Sequence, residues 1–410
     1  MHKQLLIVKR KKAKQLHEKG WSVNRIAHHL LSNWSSIDRW INMEEIDTDN
    51  RGWKKGRLRR YDKKTKERVI NIRNKLRAEE SYFFGPQVVL ANYRKRYKDD
   101  KEPTMYFITN TIREAGLTTV NSKEKRDNRS CYMKYPRRAL DKLGKVVLGI
   151  DFVGPRYIEQ KTEGVHFLSR KYIRPMKYGL IDRVEGQTTD EALKVLIKDW
   201  KEYPLPEVVR MDNDAAFGEY NTHPHCIGRF TKVLLNLGIT PLYCAPRQPW
   251  NNGATEGYNS MFARKFWEQL RFNDEQEIDV AIHKFNLEYE KYNHLVGNNI
   301  APEEVNHRTL AQDFKLPQAY EQRLRKDQPM SIYWLRVVRQ QTKKTAKNDK
   351  GTIKLLGEEI ELPQAYINQF TLNKLEVNQE RLSVMVEDEN KRLKTIKQKK
   401  LRIQNANYFE

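Results

Sequence analysis

Two short apolar runs, each ended by an acid, constrain the fold of this chain more than any other feature. Val146-Val147-Leu148-Gly149-Ile150 runs into Asp151, and Val208-Val209-Arg210-Met211 runs into Asp212. Such β-branched and apolar runs, bounded by polar residues, read as strands buried inside a sheet. A third acid, Glu256, follows Asn251-Asn252-Gly253 and opens a segment with helical spacing. Acids ending two buried strands, plus one on a helix, are what a divalent-metal phosphoryl-transfer site requires. Hard oxygen ligands hold Mg²⁺, and two such ions can clamp the attacking and leaving oxygens of an in-line displacement. Asp151, Asp212 and Glu256 are therefore the candidate catalytic and metal-binding residues. The expected cofactor is Mg²⁺, with Mn²⁺ as a substitute, two ions per site. Taken singly, each acid reads first as a solvated strand or helix end; the three together, in this order, point to the metal site.

The pattern around these acids extends the reading to a domain over 145–310. Val146–Phe152, Val165–Arg170 and Met176–Ile181 predict three strands, followed by a helix from Thr189 to Tyr203. Val208–Met211 and Ile239–Cys244 are further strands, separated by a helix over Phe230–Leu237. Ala254–Leu270 and Ile278–Tyr292 close the series as helices. This β-β-β-α-β-α-β-α order predicts an α/β mixed sheet with helices on its faces. It lets three acids distant in sequence meet at one edge of that sheet.

The flanking segments read differently. Residues 1–50 predict an all-α helix-turn-helix domain. Gly20 stops a first helix, Ser22 caps a second, and a third from Ser35 to Met43 offers Ser36, Asp38 and Arg39 to a major groove. The basic linker 51–61 suits an arm along a minor groove, with Arg57 and Arg59 as contacts, or a plain solvated connector. Residues 62–117 predict a second helical DNA-binding module. Val69, Ile72 and Leu76 line one of its helices, Gly85-Pro86 starts another, and Thr104 caps a third that exposes Thr109, Asn110 and Arg113. Residues 118–144 read as a linker. Short strands at Ile332–Arg339, Gly351–Leu356, Leu382–Val386 and Arg392–Ile396 predict a separate small β-barrel over 328–400, with 401–410 as a tail.

Charge narrows the partners. The formal net charge is +24, and an excess of that size points to a polyanion, because cations on phosphates release condensed counterions. No stretch approaches the ~18–20 apolar residues that span a bilayer, and the start MHKQLLIVKRKKAK lacks the long apolar region of a signal peptide. No membrane partner is expected. Cys131, Cys226 and Cys244 are scattered, without CxxC spacing, which suits a reducing compartment. His223-Pro224-His225-Cys226 has no evident fourth ligand and reads as a polar loop rather than a zinc site.

At the acid motifs the chain resembles the DDE transposase and retroviral-integrase family, with its RNase H-like catalytic core. The resemblance rests on Asp151 with Phe152, Gly154 and Pro155, on Asp212-Asn213 with Phe217, and on Gln248-Pro249, Asn252-Gly253, Glu256 and Asn259. Tyr292-Asn293 and Pro302-Glu303 extend it. The flanking helical modules and terminal strands are similar to Mu-type bacterial transposases. Two departures stand out. Asp214 adds a carboxylate where the family often has Gly, and the interval from Asp212 to Glu256 is long, with the excess assigned to Gly218–Ile227.

The resemblance implies a DNA transposase or integrase of the DDE polynucleotidyl-transferase type. Water first cuts at an element end, and the 3′-hydroxyl left there attacks a target phosphodiester. It implies double-stranded DNA as partner, at element ends and at the target, and a homo-oligomer assembled on that DNA. An ATPase target-selection partner stays open, and the place of action would be the bacterial nucleoid in the cytoplasm. Asn252 is expected to shape the loop that meets the substrate backbone. Asn259 either touches DNA or braces its helix, and Arg264 and Lys265 are candidate phosphate contacts or ordinary surface cations. Trp250 reads as a packing aromatic at the helix head before a DNA-inserting one. Two other classes remain: a DNA-binding regulator with an inactive core, and an RNase H-like nuclease acting on hybrids.

Overall fold

The computed structural model describes residues 3–47, 60–118, 133, 135–159, 162–218, 223–297, 300, 302–305, 307–340 and 350–409. Arg57 and Arg59, with most of the linker predicted around them, lie outside the described residues. So do Cys131 and most of 118–134. The chain divides into two compact units, 1–64 and 65–410.

The first unit is three short helices, α1 (Lys3–Glu18), α2 (Val23–His29) and α3 (Trp34–Ile41). Gly20 takes the left-handed conformation (φ 82°) that ends α1. Ser22 Oγ accepts from Arg25 N at 3.4 Å at the start of α2. The apolar positions Leu6, Ala13, Leu16, Ile26, Ile37 and Trp40 form its core. Each of the larger side chains among them, fully buried, contributes roughly 1.5–3 kcal/mol. Packing Ile37 and Trp40 inward leaves Arg39 exposed and Ser36 half-buried on the other side of α3.

The second unit begins within α4 (Lys63–Ala78), at Thr65, and continues through α5 (Pro86–Arg96) and α6 (Met105–Glu114). Pro86 sits in the first turn of α5, where its missing N–H costs nothing. Thr104 Oγ1 caps α6 by accepting from Phe107 N at 3.3 Å. These helices do not close a core of their own. Val69, Ile72, Val89, Tyr93 and Ile108 belong to the same buried cluster as Tyr258, Phe262, Phe266 and Phe285, which come from much further along the chain. Residues 137–141, inside the predicted linker, form a helix, α7 (Arg137–Asp141), whose Ala139 and Leu140 are buried.

The sheet follows the predicted order. β1 (Val147–Tyr157), β2 (Gly164–Arg174) and β3 (Gly179–Val184) are an antiparallel meander, then come α8 (Thr189–Glu202), β4 (Val208–Met211), α9 (Arg229–Asn236) and β5 (Thr240–Tyr243). β4 lies parallel to both β1 and β5. Leu148, Ile150, Val209 and Met211 face one buried cluster with α8 and α9 residues, whereas Val147, Val208 and Leu242 face another with Leu140. Both faces are therefore covered, which is why these strands read as largely apolar runs, interrupted in β4 by Arg210. α10 (Gly253–Phe262) continues into a π-helical turn, Ala263–Trp267, and α11 (Glu275–Val296) packs on β3.

The predicted separate barrel is not what the terminal strands form. After the two-residue β6 (Leu324–Arg325), β7 (Ser331–Val337) pairs in parallel with β5, matching Leu242 with Tyr333 and Tyr243 with Trp334. β8 (Arg339–Gln340), β9 (Lys350–Leu355) and β10 (Glu358–Pro363) make a small three-stranded sheet. β11 (Phe370–Glu376), β12 (Arg381–Glu387) and β13 (Leu393–Lys400) then extend the main sheet to nine strands, in the order β13-β12-β11-β7-β5-β4-β1-β2-β3. That sheet is open, not closed on itself. The tail also has a place, because β14 (Tyr408–Phe409) pairs with β6.

One charged group ties the sheet to its helical cover. Arg170 on β2 is 1 % exposed and donates to Asp199 on α8 at 2.7 Å and to Asp182 on β3 at 2.5 Å. Burial alone would lower its pKa, but the two carboxylates hold it above the ordinary value.

Candidate active site

β1 and β4 are adjacent and parallel, and their register, which matches Gly149 with Arg210, sets Asp151, midway along β1 rather than at its end, level with Asp212 just past the end of β4. α10 carries Glu256 to the same cleft. Its approach depends on Gly149. A Cβ there would meet Thr255 Oγ1 at 2.2 Å, so only glycine lets α10 lie this close to β1. Asn252 fastens the junction. It is 5 % exposed, its Nδ2 donates to Ile150 O at 3.4 Å, and its Oδ1 accepts from Thr255 Oγ1 at 3.0 Å.

Asp151, Asp212 and Glu256 line one cleft of about 390 Å³, together with Asn213, Asp214, Cys244, Arg247, Gln248 and Asn252. The charges meet at Asp151. Burial first, then the Asp212 and Glu256 charges, push its carboxyl up to about 7, against the pull of a hydrogen bond from Asn259. Burial also raises Asp212 and Glu256. Asn259 Nδ2 donates to Asp151 Oδ2 at 2.8 Å, which ties α10 to the first acid. Its own Oδ1 is buried and has no hydrogen-bond partner among the described residues.

The Asp212–Asp214 turn is held by its own acids. Asp212 Oδ1 accepts from Asp214 N at 3.0 Å, and Asp214 Oδ1 accepts from Ala216 N at 2.8 Å. This is the side-chain-to-backbone bonding that aspartate favours in turns. Phe152 stacks on Phe217 with ring centroids 5.1 Å apart, joining the residue after the first acid to the segment after the second.

The turn also rests on a residue that sequence reasoning missed. Arg336, on β7 and 5 % exposed, donates Nη2 to Asn213 Oδ1 at 3.2 Å and Nη1 to Cys244 O at 3.3 Å. Asn213 Nδ2 in turn donates to Cys244 O at 2.7 Å. β7 thus supports two residues that line the cleft, Asn213 and Cys244. Nothing in a lone arginine within a strand pattern marks it for this role.

The cleft's donor chemistry fits a hard divalent ion. Its acids are carboxylates crowded enough to raise the Asp151 pKa, and burial raises the Cys244 thiol, so it stays protonated. Among the described residues, however, no group of three or more His, Cys, Asp or Glu side chains is close enough to hold one ion. Mg²⁺ is commonly held by one or two carboxylates, with waters and substrate phosphates completing its shell, so the donor set suits that mode rather than a closed cage.

The other candidate contacts are dispersed. Arg264 is exposed, with Nε donating to Ser260 O at 3.1 Å. Lys265 is half-buried with Nζ 4.3 Å from the Phe84 ring centroid, and burial lowers its pKa. Thr109 Oγ1 donates to Met105 O at 2.8 Å, and Arg113 Nη2 donates to Asn110 Oδ1 at 2.5 Å, all along α6. Trp250 packs between Tyr135 and Phe370 at 4.9 and 5.2 Å. In the His223–Cys226 loop, His225 Nε2 lies 3.2 Å from Glu358 Oε1. Among the described residues no helix is long and apolar enough to cross a membrane.

No family profile matches this chain, and no curated protein does. Among solved structures it is similar to a chain in a simian T-cell lymphotropic virus intasome in complex with PP2A regulatory subunit B56 gamma. The likeness has a TM-score of 0.31 and 11 % identity, over 72 % of this chain and 96 % of that one. A likeness this low establishes no activity.

Proposed function

We propose that this protein is a metal-dependent polynucleotidyl transferase that cuts duplex DNA at element ends and joins the resulting 3′-hydroxyl to a target phosphodiester. One observation carries the reading: three carboxylates from β1, the end of β4 and α10 line a single cleft. Asp151, Asp212 and Glu256 supply hard oxygens there. A bound divalent ion would lower the nucleophile's pKa and offset charge at the phosphorus. Asn259 fixes the rotamer of Asp151, and the Asn213–Arg336 pair fixes the Asp212 turn. Joining by transesterification needs no high-energy cofactor, so these residues need only orient two phosphodiesters and exclude competing water. The helix-turn-helix unit and α4–α6 would bind the ends, and the net charge of +24 suits that polyanion.

The test is Mg²⁺-dependent nicking and strand joining on duplex DNA, run beside an RNA–DNA hybrid of the same sequence. Asp151→Asn, Asp212→Asn and Glu256→Gln should each abolish chemistry while leaving DNA binding intact. Activity retained in any one variant would remove that residue from the site. Preference for the hybrid would replace transposition with an RNase H-like nuclease activity.

A further inference from the structure

Away from the acid cleft, α5 and α11 enclose a second groove of about 520 Å³. Its described lining is Ala91, Arg94 and Lys95 from α5 and Lys291, His294 and Leu295 from α11, with no carboxylate among them. The spacing explains the convergence: positions 91, 94 and 95 share one face of a helix, as do 291, 294 and 295. The two helices are fixed to each other by Tyr292, whose hydroxyl donates to Gln87 Oε1 at 3.0 Å and whose ring stacks on Phe83 at 4.7 Å. The groove is therefore a preformed feature rather than a meeting of loose side chains.

Its charges are unequally used. Arg94 is held in a two-pronged pair with Glu102, at 2.9 and 2.7 Å. His294 Nε2 lies 3.9 Å from Glu290 Oε1. Lys95 and Lys291 are exposed and have no carboxylate partner among the described residues. Two unpaired ammonium groups from separate segments across an apolar floor form a surface for a repeating anion, since compact, flexible ammoniums meet phosphates as point charges.

We propose that this groove is a contact surface for the phosphodiester backbone of duplex DNA, with Lys95 and Lys291 each neutralising one phosphate. The assignment rests on the DNA-processing reading above and adds to it a position and two residues. Neither lysine was among the contacts expected from the sequence.

The experiment is the salt dependence of binding of the full chain to a duplex of arbitrary sequence. The slope of log K against log salt should fall in magnitude by about 1.8 in the Lys95→Gln/Lys291→Gln double variant, about 0.9 for each phosphate no longer neutralised. Lys194→Gln/Lys198→Gln, on the solvent face of α8, makes the same change in net charge and should leave the slope unaltered. An unchanged slope in the groove variant, or an equal fall in both variants, overturns the assignment while leaving DNA binding in place. A wild-type chain whose binding ignores salt overturns the DNA reading and this inference together.

Discussion

Replacing Asp151 by asparagine should make the metal-free protein more stable, although it should abolish catalysis. The folded structure holds the Asp151 carboxyl at about 7, against an ordinary value of 3.8. Ionising it in the fold therefore costs more than ionising it in the unfolded chain. Its favourable contribution is complete below pH 3.8, is lost progressively as pH rises, and is gone once pH passes about 7. The full loss is at most roughly 4 kcal/mol, from about 1.4 kcal/mol per tenfold change in proton affinity. Partial exposure and local relaxation discount that to about 1–3 kcal/mol.

Asparagine keeps the side chain's shape, and its carbonyl can still accept from Asn259 Nδ2, which sits 2.8 Å from Asp151 Oδ2. The assay is thermal or urea unfolding in excess chelator across pH 4 to 8. The variant and wild type should coincide near pH 4, diverge up to neutrality and stay apart above it, with the variant more stable. Saturating Mg²⁺ should then stabilise the wild type far more than the variant. Equal or lower stability of the variant at pH 8 in chelator would refute the claim that burial and the neighbouring acids strain Asp151.

Three further perturbations follow from named contacts. Gly149→Ala would drive a methyl group into Thr255 Oγ1, costing roughly 1–3 kcal/mol by overpacking; adding Thr255→Ala should recover much of it, and strict additivity in a denaturation double-mutant cycle would argue against the close approach. Asp199→Ala leaves the buried Arg170 guanidinium short of a partner, so a loss of about 3–5 kcal/mol is expected in urea denaturation, and a loss under about 1 kcal/mol would show that Asp182 suffices. Arg336→Lys removes the fork that meets Asn213 and Cys244 O, which an ammonium cannot reproduce; the Mg²⁺ concentration needed for thermal protection should rise, and an unchanged midpoint would detach Arg336 from the site.

Much of the central architecture was legible because its strands are buried on both faces. Val146–Ile150 and, apart from Arg210, Val208–Met211 are apolar runs for that reason, and each run leads into its acid. The caps at Ser22 and Thr104 were equally readable, since a hydroxyl just before a helical pattern has a local task. Phe370–Glu376 was missed as a strand. It buries Thr371 and Asn373, and Asn373 Nδ2 donates to Trp334 O at 3.0 Å, so its polar residues masked the pattern.

What the sequence determined by itself is the set of local elements and the positions of three acids along them, because helix and strand periods and turn chemistry are short-range. Which strands become neighbours is a long-range matter that periodicity does not encode. The pairing of Leu242 with Tyr333 turned a predicted barrel into the flank of the central sheet. Only that pairing brought Arg336 under the Asp212 turn, and only the packing of α10 on β1 at Gly149 set Glu256 over the same cleft as Asp151.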